Sequence, residues 1–364
     1  MNQRVAIVHY WLLGMRGGEK VVEALCRLLP DADVFTLFYD PSRISPVIRA
    51  HRVTASYLNP LRSFHRSLLP LMPRALASFD LRDYHLVVSS ESGPAKGVAA
   101  PPGARHVCYC HTPMRYLWDL HPQYLNEWTR SPLKRAAIRY FTPRLRKWDL
   151  ATACRVTQFV ANSQNVRARI HKTYGRDSIV VPPPVAVESF HHQPAEDYFL
   201  IVGELVSYKR IDLAVRVFSK NGRALRIAGD GPEYARLKKI AAPNVQFLGR
   251  VSDDDLRSLY ARCRAFLMPG EEDFGIAMVE ALASGKPVIG LARGGILEIV
   301  PEAGAFLFNA PEESPFSDAI ARFEAAESRL DPAALQASAR RFSTAEFDRK
   351  MRDILAQNAR HTRE

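Results

Sequence analysis

The chain has 364 residues, 47% apolar and 24% charged, a composition that excludes a mainly disordered protein and calls for two domains of roughly 170 residues each. No stretch approaches the ~18 uncharged apolar residues of a spanning helix, and the opening residues run straight into a strand-like pattern, so neither a membrane span nor a signal peptide is expected. The five cysteines (Cys26, Cys108, Cys110, Cys154 and Cys263) form no CxxC pair; this argues against a disulfide scaffold or a cysteine-ligated zinc site and for a reduced, cytoplasmic setting.

The net charge of +12 is unevenly spread: residues 1–190 hold 26 Lys and Arg against 13 Asp and Glu, and the remainder holds 24 against 25. Two acid-free clusters carry the excess, six arginines in 41–79 and seven Lys or Arg in 128–148, both interleaved with large apolar residues. Nucleic acid and an anionic membrane face are the two partners such a surface could take. A solvated basic surface with no partner is the third reading, and charge alone does not decide among them; no helix-turn-helix, zinc or aromatic RNP pattern accompanies the charge, which argues against nucleic acid.

In chain order, VAIVH (5–9), VFTLF (34–38), LVVSS (86–90), HVCYC (106–110) and QFVANS (158–163) are short, β-branched apolar runs, as strands of a parallel sheet covered on both faces are. EKVVEALCRLL, with apolar residues at helical spacing, predicts a helix after the first strand, beginning near Glu19. The run VVPPPVAVESF (180–190) fits neither a helix nor a central strand and predicts the interdomain linker. Beyond it, FLIVGEL, ALRIAGD, VQFLGR, AFLMP and PVIGLA alternate with helical patterns, a second strand-helix series. The fold class is therefore α/β, with two Rossmann-like doubly wound domains: residues 1–188, residues 189–343, and a terminal helical segment 344–364 returning to the first. A ligand crevice is expected at the carboxyl ends of both sheets.

The most informative stretch is PGEEDFGIAMVEALASGKPVIG. Glu272 and Glu280 lie eight residues apart, with Gly275 at the mouth of a helix between them. Glu280 has only apolar or glycine neighbours within three positions, so burial obliges it to accept strong hydrogen bonds, for which ligand hydroxyls are natural donors. Gly275 permits close approach to the backbone, and the N–H groups of Ile276 and Ala277 suit a phosphate. Asp253, Asp254 and Asp255 follow Ser252 and precede a helical pattern, which reads as a capped, acid-rich helix start rather than a metal site. AGDGPE (228–233) reads as a strand-to-helix turn with a structural aspartate.

This acid pair resembles the E-x7-E signature of the family 4 retaining glycosyltransferases of the GT-B fold, whose two domains face each other across a cleft. The resemblance extends through MRGGEKV after the first strand, HTP (111–113), ANS (161–163), VVPPP, YKRIDLAV (208–215), AGDGPE and NVQFLGRVSDDDLRSLY (244–260). The tracts VAIVHYWLLGMRGGEKVVEALC and CHTPMRYLWDL are similar to those of the bacterial O-antigen and exopolysaccharide mannosyltransferases. The resemblance implies a nucleotide-diphosphate sugar as co-substrate, no cofactor and no metal, with Glu272 on the sugar hydroxyls, Glu280 on the ribose and Lys209 on the diphosphate. Phe274, Gly275, Ile276 and Ala277 would complete the donor site. It also implies that His111 faces the reacting sugar, with Gly18 on the donor side and Gly17 on the acceptor side of the first loop. Where the family often carries an arginine, five positions before Lys209, this chain has Glu204, which leaves Arg210 as the candidate second cation.

The implied activity is retaining transfer of a hexose, mannose from GDP-mannose first, to a lipid-linked or oligosaccharide acceptor in cell-surface polysaccharide synthesis, by an enzyme peripheral to the inner face of the cell membrane. A nucleotide-sugar epimerase on the same fold and a basic nucleic-acid-binding protein are the alternatives.

Overall fold

The computed structural model describes residues 4–119 and 131–356. Residues 128–130 of the second basic cluster, Leu120, the first three residues and the end of the expected terminal helix lie outside them. The chain divides into two compact units, Met1–Pro183 with Asp348–Glu364, and Pro184–Phe347. The division falls inside the proline run, ahead of the position expected from sequence, because Val185 N–H donates to the Phe342 carbonyl and draws the following residues into the second unit.

The first unit is a seven-stranded sheet in the order β3-β2-β1-β4-β5-β6-β7. Its strands are β1 (Val5–Leu12), β2 (Asp33–Tyr39), β3 (Val53–Ala55), β4 (Leu86–Glu91), β5 (Arg105–Cys110), β6 (Gln158–Ala161) and β7 (Ser178–Val180). Every pairing is parallel. The principal helices are α1 (Gly17–Leu28), α2 (Pro132–Ala153) and α3 (Gln164–Tyr174). α1 buries Val21, Val22, Ala24 and Leu25, the stripe that its spacing predicts, but starts at Gly17, so the glycine pair forms its first turn.

A charged network under this sheet is fully enclosed. Lys96 contacts Asp149 on α2 closely and lies 3.5 Å from the Glu91 carboxylate, while Trp118 Nε1 and Tyr174 OH both donate to Asp149 at 2.8 and 3.0 Å. A buried cation is tolerable only with such partners. Trp148, one residue earlier on α2, lies so close to Gly97 that a Cβ there would come within 2.1 Å of its ring.

The basic segment after β3 folds as a 3-10 turn series, Asn59–Ser67, rather than a regular amphipathic helix. Tyr57, Leu61, Phe64 and Leu71 are exposed, whereas Leu68 and Leu69 pack partly against the core. The apolar face of this segment is thus narrower than its sequence indicates.

The second unit is a six-stranded sheet in the order β10-β9-β8-β11-β12-β13, built from β8 (Phe199–Val202), β9 (Leu225–Ala228), β10 (Val245–Gly249), β11 (Phe266–Met268), β12 (Val288–Leu291) and β13 (Ala305–Phe308). All pairings are parallel. Its principal helices are α4 (Ile211–Asn221), α5 (Tyr234–Ile240), α6 (Asp253–Arg262), α7 (Ile276–Ala283) and α8 (Glu313–Ala326). Two apolar clusters, one on each face of the sheet elements, form the core that parallel sheets require. α6 is capped by Ser252, whose Oγ accepts from Asp255 N–H, so the aspartate triplet is the helix start the sequence predicts. The last helix, α9 (Thr344–Ala356), begins in the second unit and buries Met351 and Ile354 in the first.

Candidate functional site

In each sheet the chain reverses its winding once, between β1 and β4 in the first unit and between β8 and β11 in the second. Loops leaving the carboxyl ends of the strands part at such a point, and the opening between them binds ligands in open α/β sheets. The sequence-predicted residues fall at these two positions, in two sets.

The second unit holds the larger set. Lys209 follows β8 and Glu272 follows β11, and their side chains meet in an ion pair of 2.8 Å, each with 18% exposure. Glycines make that meeting possible. Gly203, at the end of β8, has φ +148°, and a Cβ on it would lie 2.8 Å from Lys209 Nζ. A Cβ at Gly270 would strike the Tyr208–Lys209 backbone at 2.5 Å, so only glycine lets the two loops touch. The Glu272 carbonyl accepts from Gly295 N–H at 2.8 Å, which fixes its backbone against the loop after β12.

Gly275 caps α7 in the left-handed region at φ +100°, a conformation that strains any other residue. The N–H groups of Ile276 and Ala277 then open the helix, where they lack intrahelical acceptors and the helix dipole favours an anion. Glu280 lies one turn further along α7, 5% exposed, and Tyr260 OH on α6 donates to its Oε2 at 3.0 Å. Burial, and then the nearby Glu280 charge, push the Tyr260 phenol well above its ordinary pKa, so it stays a donor. Glu280 is therefore the buried, hydrogen-bonded carboxylate its surroundings predict, and Tyr260 is a partner that sequence reasoning missed.

Two expected donor contacts are placed otherwise. The Phe274 ring is buried against Phe342, centroids 5.5 Å apart, which makes it a core residue with only its backbone at the loop. Arg210, itself at φ +52°, turns its guanidinium to Asp212 at 3.4 Å and the Pro311 carbonyl at 3.3 Å. It does not join Lys209 as a second cation in this structure.

The first unit holds Gly17, Gly18 and His111. His111 follows β5, its Nε2 is 2.9 Å from Ser90 Oγ on β4, and its carbonyl accepts from Asn162 Nδ2 at 3.0 Å. A Cβ at Gly18 would lie 3.5 Å from His9 Cε1 and 3.6 Å from His111 Nε2, so the start of α1 packs directly against both imidazoles. His9, on β1, is fully buried; its Nδ1 bonds the Ser90 carbonyl at 2.8 Å, and since a carbonyl only accepts, that nitrogen carries the proton. The other nitrogen, Nε2, is buried with no hydrogen-bond partner among the described residues. Burial lowers the pKa of both rings, His9 to about 4, so both are neutral near pH 7. Sequence reasoning passed over His9 because a histidine inside VAIVHYWL reads as strand interior; its place directly before the glycine loop was the available signal. Among the described residues no three His, Cys, Asp or Glu side chains cluster as metal ligands would.

Two doubly wound parallel sheets, each with its polar residues at the winding reversal, define a two-domain Rossmann-like architecture of the kind nucleotide-sugar enzymes use. Residues 15–189 match the Glycosyltransferase Family 4 model and residues 186–342 the Glycosyl transferases group 1 model. The chain belongs to the family 4 glycosyltransferases of the GT-B fold. Over 175 residues it is 30% identical to the O-antigen chain mannosyltransferase RfbU of Salmonella typhimurium, covering 44% of this chain and 49% of that protein. Over 102 residues it is 36% identical to a GDP-mannose-dependent alpha-mannosyltransferase of Corynebacterium glutamicum, covering 28% of this chain and 24% of that one. The matches thus span between a quarter and a half of these relatives' length. Anabaena Alr3699/HepE in complex with UDP-glucose has the same fold, with a TM-score of 0.74 at 17% identity, covering 97% of this chain and 99% of that one.

Proposed function

We propose that this enzyme transfers a hexose, mannose from GDP-mannose, to a lipid-linked or oligosaccharide acceptor in cell-surface polysaccharide synthesis, with retention of configuration and without a metal. The Lys209–Glu272 pair beside the α7 start carries this reading, because it sets a cation, a hydroxyl acceptor and helix amides together at one winding reversal. The names of the Salmonella and Corynebacterium relatives support mannose and its GDP donor.

Loss of the nucleotide diphosphate builds negative charge on the leaving oxygen and positive charge at the sugar carbon. Lys209 and the N–H groups of Ile276 and Ala277 would meet the first. Glu272 would hold the sugar hydroxyls and Glu280 the ribose, each as a charge-assisted acceptor. The ammonium and the carboxylate hold each other in place until a donor's phosphates and hydroxyls share them. Same-face attack by the acceptor hydroxyl, its proton passing to the leaving phosphate, gives retention. His111, neutral and tied to Ser90, would face the sugar as a hydrogen-bonding group rather than as a charge.

A thermal-shift screen with GDP, UDP, ADP and dTDP tests the donor, since a ligand that binds only the native state raises the melting temperature. GDP is expected to give the largest shift. A larger shift with UDP would overturn the mannose reading and leave the family untouched.

A further inference from the structure

The enclosed charge network of the first unit closes a ring around the tract that begins at His111. Lys96 lies in the 3-10 turn Ala95–Gly97 after β4. Its side chain and that of Asp149 are fully buried, and Glu91, the last residue of β4, is nearly so. Apolar groups of similar volume are often as stabilising as a buried ion cluster, or more so, so stability alone does not account for an ammonium enclosed with two carboxylates. What charged groups add is direction, because each bond fixes one segment of chain against another.

The segments joined here are the two ends of residues 111–118. At the first end, His111 N–H donates to the Glu91 carbonyl at 2.7 Å and Asn162 Nδ2 donates to the His111 carbonyl at 3.0 Å. At the other, Trp118 Nε1 donates to Asp149 Oδ2 at 2.8 Å, and Arg146 Nε donates to the Leu117 carbonyl at 2.7 Å. Lys96 links them. Its N–H donates to Glu91 Oε2 at 2.9 Å, its ammonium lies 3.5 Å from Glu91 Oε1, and the same ammonium contacts Asp149 closely. Between the ends, Met114 and Leu117 are buried against Leu145 of α2. His111 is neutral and acts by hydrogen bonding, so its value to a sugar depends on where the ring stands; a displacement of about 1 Å is enough to lose much of a rate.

We propose that Lys96 is a positioning residue for the transfer: through Glu91 and Asp149 it holds both ends of residues 111–118 and so fixes the place of His111. The proposal rests on the role given to His111 above and adds what keeps that histidine in register.

Two substitutions at one carboxylate oxygen test it. Trp118→Phe and Tyr174→Phe each remove a neutral donor from Asp149 Oδ2 and keep an aromatic ring, but only the first releases an end of the tract. Urea unfolding reads stability, and GDP released from GDP-mannose, with water in place of the acceptor, reads turnover at saturating donor. The two variants should lose similar stability, while Trp118→Phe lowers turnover by about tenfold and Tyr174→Phe leaves it within about twofold. In a His111→Ala background the loss from Trp118→Phe should vanish, since nothing remains to be positioned. Hydrogen exchange at the Leu117 amide, bonded to the Met114 carbonyl at 2.9 Å, should quicken in Trp118→Phe and not in Tyr174→Phe. Lys96→Met should lower turnover at least as far; where it fails to fold, the Trp118 and Tyr174 comparison decides. Equal turnover in those two variants, an undiminished loss without His111, or equal Leu117 exchange would overturn the proposal and make the network a stabilising knot alone. A wild type that releases no GDP would instead strike at the proposed donor, and the exchange comparison would still decide whether the tract is held as described.

Discussion

Lys209 and Glu280 carry different parts of the donor site, and their variants should fail differently. Lys209 has its ammonium over Gly203, where no Cβ intervenes, and against Glu272. Lys209→Ala should lower turnover by about a hundredfold or more, because the cation matters most as the leaving charge forms. Steady-state rates at saturating donor decide it; activity within about threefold of wild type, roughly 0.7 kcal/mol, is too little for a direct charge contact and would reassign the diphosphate. Glu280→Gln keeps volume but loses charge-assisted acceptance, so nucleotide affinity should fall by about ten- to a hundredfold on a folded protein. Calorimetry with the nucleotide checks this, with Tyr260→Phe as control. That variant removes the 3.0 Å bond to Oε2 but not the carboxylate, and should cost less affinity than Glu280→Gln. Equal affinity in wild type and Glu280→Gln would make the carboxylate a structural partner of Tyr260.

At the level of strands and helices, the central strands were legible in the sequence because continuous β-branched runs have few other uses. The three missed strands, Val53–Ala55, Ser178–Val180 and Ala305–Phe308, are the short outer ones, two of three residues and one of four. Each lies at a sheet edge, where partial exposure dilutes the apolar signal. In the site, Glu272, Gly275 and Glu280 were legible because they share one loop and helix. Tyr260, His9 and Ser90 were not, because their roles depend on contacts across 20 to 81 residues. One such hidden feature has a measurable consequence. His106 on β5 is fully buried, its Nε2 paired with Ser89 Oγ at 2.8 Å, and burial holds its pKa at about 4 against an ordinary 6.5. Between those values the unfolded chain binds the extra proton, so the stability this ring contributes is complete above pH 6.5 and is lost as pH falls toward 4. Buried Glu91, pushed up to about 7, acts with the opposite sign, so the test compares two proteins. His106→Gln costs packing at pH 7.5 but escapes protonation, and its stability gap from wild type should shrink by about 2 kcal/mol at pH 5. Urea unfolding at both values reads the gap; a constant gap would show that the ring is hydrated.

Over the whole molecule, the uneven charge sets a further expectation. The first 190 residues carry the entire basic excess, and no helix among the described residues is long and apolar enough to cross a membrane. Reversible docking on an anionic surface needs only a few exposed cations, at about 1 kcal/mol each, beside apolar groups. Arg62, Arg66 and Arg74 are exposed near Leu61, Phe64 and Leu71. Full-length protein should therefore sediment with phosphatidylglycerol vesicles at low salt and release as ionic strength rises. Changing the three arginines together to Gln should remove sedimentation and spare nucleotide affinity. Equal sedimentation of mutant and wild type would move the contact to another surface. The path of α9 bears on biosynthesis. Residues from Asp348 complete the first unit, with Met351 and Ile354 buried and the Leu355 carbonyl accepting from Arg105 at 3.2 Å. A ribosome delivers that helix only after the whole second unit, so the earlier-made sheet waits with an apolar groove uncovered while more than 160 residues emerge. At about 5–20 residues per second that is roughly ten to thirty seconds of exposure. A stop codon near the end of the message should therefore injure the domain translated first.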